Sequence, residues 1–249
     1  MNIIHYSGVT KRYSSWPRGN KVLALDDFSL QIEQGEVFGF LGPNGAGKST
    51  ALKILLNFVY PNAGTVSLMG KSASDSRSRG SIGYLPENPY FYDYLTAEEI
   101  LWFGGKTSGL HKNEINDRTD MLLGRMGLKA SCKRPLRTYS KGMVQRAGLA
   151  LALVHDPEVV ILDEPMNGLD PIGRKLVGDL ILELKSQGKT VFFSSHILAD
   201  VERLCDRAGI IVGGRLRLVG KLPDLLSRED TLENVFMREV QAAGGGGAL

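Results

Sequence analysis

No stretch constrains this chain more than Gly42-Pro43-Asn44-Gly45-Ala46-Gly47-Lys48-Ser49-Thr50. It follows the apolar run Val37-Phe38-Gly39-Phe40-Leu41, which reads as a buried strand, and it precedes Leu52, Ile54, Leu55, Leu56 and Val59 at helical spacing. A glycine-rich loop between a strand and a helix is an anion cradle. The glycines let successive backbone amides turn inward toward a polyphosphate, and the helix start behind them adds its positive dipole end. Lys48 then supplies a mobile charge for the β and γ phosphates, and Ser49 a hydroxyl for Mg²⁺. Read alone, the loop leaves open a glycine-rich turn that merely happens to precede Lys-Ser, so the rest of the chain has to decide.

The length of 249 residues exceeds the usual single domain and predicts one nucleotide-binding core plus a subdomain, with ample core material at 43% hydrophobic. A net charge of +3 is too weak to indicate a nucleic-acid binder. Cys132 and Cys205 are far apart and in no metal-ligand pattern, which fits a reduced, cytoplasmic setting. The start, Met1-Asn2-Ile3-Ile4-His5-Tyr6, lacks the regions of a signal peptide. The longest apolar run, residues 147–154, falls well short of the roughly 20 residues of a spanning helix, so work at a membrane would pass through a partner.

Residues 3–9 and 28–32 alternate in polarity and predict an antiparallel sheet ahead of the cradle. Between them Tyr13 could stack on a purine ring or be an ordinary edge-strand tyrosine, and Trp16 is a rival stacker. After a strand at 65–68, residues 72–80 read as a polar loop. Ile82-Gly83-Tyr84-Leu85-Pro86-Glu87 reads as a core strand that delivers Glu87 where strands of the phosphate site end. From 89 to 138 the period becomes helical, with a capping-box pattern at Thr96-Ala97-Glu98-Glu99 and a cluster of Tyr90, Phe91, Tyr92 and Tyr94 suited in part to a partner groove.

Two further motifs carry chemistry. In Tyr139-Ser140-Lys141-Gly142-Met143, Ser140 reads as an N-cap with Gly142 behind it, so a hydroxyl, amides and a helix dipole aim at one point and form a second anion site, or simply an unremarkable helix start. Val159-Val160-Ile161-Leu162-Asp163-Glu164 describes a parallel strand buried on both faces with acids at its C-terminal tip, where ligands of open α/β sheets sit. There Asp163 would hold Mg²⁺ and Glu164 would orient or deprotonate an attacking water, although strands ending in acid are common. Gly168-Leu169-Asp170-Pro171 makes a tight loop before a helix, and the strand Thr190-Val191-Phe192-Phe193 ends in Ser194-Ser195-His196, placing a histidine able to hydrogen-bond a γ-phosphate. Gly213-Gly214 marks a hairpin turn, and the other histidines read as structural.

Taken in order, Gly-x4-Gly-Lys-Ser-Thr at 42–50, Tyr-Ser-Lys-Gly-Met at 139–143, Ile-Leu-Asp-Glu-Pro at 161–165, Gly-Leu-Asp at 168–170 and Ser-Ser-His at 194–196 resemble the ATP-binding subunit of ABC transporters, over residues 3–220. The resemblance implies an α/β fold: a P-loop NTPase core with a mostly parallel sheet, an N-terminal antiparallel β subdomain and an inserted helical subdomain. It implies a core at 1–86 and 159–220 and the helical subdomain at 87–158; beyond it the residues themselves read as C-terminal helices at 221–240 and a disordered Gly-rich tail at 241–249. It also implies ATP and Mg²⁺ as ligands and a head-to-tail dimer of this subunit, or of it with a related one, driving a separate transmembrane permease at the cytoplasmic face of the membrane. Residues 42–50 and Tyr13 would then bind the nucleotide, with Lys48, Glu164 and His196 catalytic. Ser49, Asp163 and Glu87 would serve the metal, Ser140 and Gly142 would act on the opposite subunit's ATP, and Asp170 would be an interface contact. Ser-Lys-Gly-Met in place of Ser-Gly-Gly-Gln, and Glu87 in place of the family's glutamine, resemble variants in ABC-2 type exporters. A soluble ABC-type ATPase acting on nucleic acid or the ribosome is the alternative. A single copy of each motif, the absence of a coiled-coil arm and the weak charge speak against it.

Overall fold

A computed structural model describes residues 1–14, 21–226 and 231–244. Trp16 and the last five residues of the Gly-rich tail lie outside the described residues. In chain order the elements are β1 (Asn2–Ser14), β2 (Lys21–Glu33), β3 (Val37–Leu41), α1 (Lys48–Leu55), β4 (Ala63–Leu68), β5 (Lys71–Ser72), α2 (Ser76–Arg79), β6 (Ile82–Leu85), α3 (Ala97–Thr107) and α4 (Lys112–Arg125). They continue with α5 (Lys141–Leu153), β7 (Val159–Asp163), α6 (Pro171–Ser186), β8 (Thr190–Ser195), α7 (Leu198–Leu204), β9 (Arg207–Val212), β10 (Arg215–Lys221), α8 (Leu222–Leu225) and α9 (Leu232–Ala242). The chain forms two compact units, Met1–Arg79 with Thr190–Leu249, and Gly80–Lys189.

In the first unit an antiparallel sheet runs β2-β1-β4-β5. Beside it β3 pairs in parallel with β8 and β9, and β10 closes on β9 in an antiparallel hairpin. Every residue of β3 and β8 is buried, as suits the apolar run of β3 and Val191-Phe192-Phe193 at the centre of β8. A run of aromatic contacts ties the two sheets together: Tyr6 edge-on to Phe28 at 5.1 Å, Phe28 to Phe40 at 5.7 Å and Phe40 to Phe192 at 5.6 Å between ring centres. Burying each such ring contributes about 1.5–3 kcal/mol, so this chain of rings ties the two sheets firmly. The Tyr6 hydroxyl donates to the Ala51 carbonyl at 3.0 Å, which anchors α1 to β1 and satisfies the polar atom that this buried ring brings into the core. At Gly39 an added Cβ would lie 2.6 Å from Val201 Cγ1, so only glycine lets α7 sit directly on β3.

In the first unit the structure departs from the sequence expectations at three places. The first hairpin is longer than 3–9 and 28–32, because cross-strand pairing carries it out to Ser14 opposite Lys21. Residues 72–80 are not a plain loop: Asp75 Oδ1 accepts from the Arg77 amide at 2.9 Å and Ser78 Oγ donates to the Asp75 carbonyl at 2.7 Å, enough to close the turn α2. Gln241 and Ala242 belong to α9, so the tail expected from 241 starts later.

In the second unit β6 and β7 pair in parallel. Helices α3, α4 and α5 bury Ile100, Leu101, Ile115, Leu122, Leu123 and Leu149 among them. The capping box at the start of α3 is formed, with Thr96 Oγ1 accepting from the Glu99 amide and Glu99 Oε2 accepting from the Thr96 amide at 2.8 Å. This unit is wider than 87–158: a Cβ on Gly83 of β6 would lie 2.2 Å from the Ala152 carbonyl of α5, a backbone approach that joins strands and helices in one body.

Candidate active site

The loop ahead of α1 is fixed by backbone approach. Gly47 has φ +110°, and a Cβ there would lie 2.4 Å from the Ala24 carbonyl oxygen; one on Gly42 would lie 2.5 Å from the Ile211 carbonyl. The Ala46 amide donates to Pro43 O at 3.1 Å, and the Gly214 amide at the β9–β10 turn donates to Ala46 O at 3.0 Å. Lys48, only 7% exposed, donates from Nζ to Gly42 O at 2.5 Å and to Pro43 O at 3.3 Å, so its ammonium is folded over the loop it terminates. Gly47 caps α1 with no side-chain hydrogen bond of its own, at the end where the helix carries its positive dipole. Asn44 and Gly45 stand exposed at the tip, while Ser49 and Thr50 are half-buried in the first turn of α1.

In the same unit Tyr13 lies near the end of β1 opposite Val22, 39% exposed, with Lys11 Nζ 5.0 Å from its ring centre. His196 stands exposed just past β8, where Ser195 Oγ accepts from the Ile197 amide at 2.9 Å and turns the chain.

The second unit carries the carboxylates. All of β7 is buried, Asp163 is its last residue, and Glu164 follows with φ +51°. A left-handed backbone at a residue with a Cβ costs about 1–2 kcal/mol and marks a place the surroundings force. The Asn167 amide donates to the Glu164 carbonyl at 3.1 Å and closes the turn. In register, Tyr84 of β6 lies opposite Ile161, on the face that Asp163 shares. Burial, and after it the Asp163 charge, push the Tyr84 phenol up to about 12.

Ser140 caps α5: its Oγ accepts from the Met143 amide at 3.3 Å. Gly142 faces the turn after β7, where a Cβ on it would lie 3.2 Å from Leu169 Cδ2. Asp170 caps α6 through Oδ1, which accepts from the Gly173 amide at 2.7 Å with Pro171 in the first turn. Thus the start of α5 and the turn carrying Glu164 lie together, whereas Glu87 stands exposed beyond Pro86, outside the strand that delivers it. Tyr84 and Gln145 escaped the sequence reading. Tyr84 looked like one more strand residue, and Gln145 like the polar flank of an apolar helix, although a lone amide at that face was a usable signal.

A glycine-rich loop before a helix start in the first unit, and a buried strand ending in paired acids in the second, are features of nucleotide-binding ATPases. The ABC transporter family profile matches residues 25–167, and the chain belongs to that family, as an ATP-binding domain. An uncharacterised ABC transporter ATP-binding protein of Synechocystis is 48% identical over 239 residues, covering 94% of this chain and 67% of that protein. The bacitracin transport ATP-binding protein BcrA of Bacillus licheniformis is 41% identical over 217 residues, covering 86% of this chain and 68% of its own. The chain thus spans about two thirds of the length of these curated relatives. An ATP-binding cassette solved as a dimer in a post-hydrolysis state with ADP and phosphate superposes with a TM-score of 0.81 at 25% identity, covering 88% of this chain and 98% of that one.

Proposed function

We propose that this chain is the ATP-hydrolysing motor of an exporter, working as a head-to-tail dimer on a separate membrane permease. The observation that carries the reading is the start of α1, where a glycine cap, a glycine-rich loop held by close backbone approach and a lysine folded over that loop make a cradle. The loop from Gly42 to Thr50 binds the triphosphate, Lys48 draws charge from the β and γ phosphates, and Tyr13 offers a face to the adenine. Glu164 holds the attacking water and accepts its proton as the water oxygen bonds to the γ-phosphorus and the bond to the β-phosphate oxygen breaks. His196 steadies the γ-phosphate. Ser140 and Gly142 of the opposite subunit complete the site, and Asp170 contributes to the interface.

Ser49 and Asp163 are hard oxygen donors of the kind Mg²⁺ takes together with phosphate oxygens, and among the described residues no group of three or more His, Cys, Asp or Glu forms a separate metal cage. They would hold the ion, with Glu87 near it, and the ion would neutralise charge on the phosphate oxygens. Transport is supported by the likeness to BcrA, named for bacitracin transport. A permease is supported by the exposed Tyr90, Tyr92, Tyr94, Trp102 and Phe103 of the second unit, an aromatic surface that suits an apolar partner. No helix among the described residues is long and apolar enough to cross a membrane.

Replacing Glu164 by Gln keeps the shape and removes the base. Turnover is expected to fall roughly 10²- to 10⁴-fold while ATP still binds and drives dimerisation on sizing chromatography. Normal hydrolysis by this variant, or a monomer in ATP, would sink the assignment.

A further inference from the structure

The turn that carries Glu164 is strained and buried, and the Asn167 amide closes it by donating to the Glu164 carbonyl at 3.1 Å. Pro165, the residue after Glu164, has no N–H, so its carbonyl is the backbone group through which a neighbour can hold it. The neighbour is Gln145 of α5, whose Nε2 donates to the Pro165 carbonyl at 3.5 Å. Gln145 is 2% exposed, and a buried primary amide is destabilising unless it finds such an acceptor. The same end of α5 leans on the rest of the turn: Gly142 approaches Leu169, and the Lys141 side chain lies over Gly168, where an added Cβ would meet its Cε at 3.1 Å.

The geometry points to Gln145 as a positioning residue that fixes the Glu164 carboxylate by holding the Pro165 carbonyl from the helix that begins at Ser140. This rests on the reading of Glu164 as the base. It has a consequence for the dimer, because Ser140 and Gly142 sit on the same rigid helix as Gln145. A nucleotide pressed against the start of α5 therefore bears on the carboxylate that serves the other nucleotide.

The test uses the full chain with Gln145→Met, which keeps the length and volume but removes the donor, in the native and the Glu164→Gln backgrounds. In the native background kcat falls roughly 10- to 100-fold, the scale of a small misplacement of a reacting group, while KM and ATP-driven dimerisation stay unchanged. In the Glu164→Gln background the substitution adds no further loss of single-turnover rate, because the group it positions is gone. An unchanged kcat overturns the proposal, as does a loss of equal factor in both backgrounds, or a raised KM with failed dimerisation, which would make Gln145 a packing residue. Should Gln145→Met not fold, Gln145→Glu sets an acceptor against the Pro165 carbonyl, and a native kcat there overturns the proposal equally. Normal hydrolysis by Glu164→Gln alone overturns the base reading and the proposal with it; an inactive Glu164→Gln beside a normal Gln145→Met overturns the proposal alone.

Discussion

Helices α1 and α5 both begin at residues read as phosphate contacts, yet they are closed in different ways. At α1 the cap is Gly47, with no side-chain bond, in a loop whose backbone sits against Ala24 and Ile211. At α5 the cap is Ser140, whose Oγ accepts from the Met143 amide. The first arrangement has a cap residue with no side chain to offer the helix end. The second stands without a ligand, since the accepted bond satisfies an amide of the first turn while the hydroxyl keeps its own proton to donate. An open cradle suits the subunit that owns the nucleotide, and a self-capped helix suits one that meets it only on dimerisation.

The comparison breaks most directly at Gly47. In Gly47→Ala the added Cβ meets a carbonyl oxygen 2.4 Å away, at a φ of +110° that side chains rarely adopt, so the loop must move. ATP binding is expected to vanish and the first unit to lose about 1–3 kcal/mol, the scale of a forced backbone conformation. Calorimetric titration with ATP and a thermal melt check both. Retained binding would show that the tight approach is not what shapes the cradle.

At Ser140 the two roles can be separated. Aspartate is as good an N-cap as serine, so Ser140→Asp keeps the Met143 bond and α5, but sets a carboxylate where a phosphate is expected. Ser140→Ala loses the cap, at about 1 kcal/mol, and keeps neutrality. If Ser140 faces a nucleotide, Ser140→Asp melts normally yet loses ATP-driven dimerisation and most turnover, while Ser140→Ala is the more active of the two. The opposite order of activities would reduce Ser140 to a structural cap.

Much of this contrast was legible before the structure, because it rests on local chemistry. The strand-loop-helix at 37–55, the Ser140 cap and the acids at the end of β7 are each written in one short consecutive stretch. So is the β9–β10 hairpin, where Gly213 and Gly214 both take positive φ at the turn. What stayed hidden depends on partners distant in sequence or on backbone strain. Glu164 is no glycine, and nothing local announces its left-handed φ. Gln145 finds Pro165 twenty positions away, and Tyr84 meets the field of Asp163 only through the β6–β7 register. The helical turn at α2 was missed for another reason: five serines in 72–81 outweigh one capping aspartate in composition, whereas Asp75 decides the backbone.

The smallest expected effect comes from a third helix start, which calibrates the other two. At α3 the capping box satisfies amides reciprocally between Thr96 and Glu99, so this end is occupied by its own side chains and has no ligand to meet. Thr96→Ala removes the hydroxyl that accepts from the Glu99 amide and leaves the Glu99 carboxylate its bond to the Thr96 amide. The loss is that of one exposed cap, about 1 kcal/mol, or a drop in Tm of roughly 2–4 °C for a chain of this size. ATPase and dimerisation should match the unmodified protein. Such a result gives Ser140→Ala its yardstick: a turnover defect there, at an equal loss of Tm, belongs to the ligand and not to the helix. A Thr96→Ala protein with impaired ATPase would mean that cap strength alone reaches the active site through the second unit, and the distinction drawn between α1 and α5 would lose its footing.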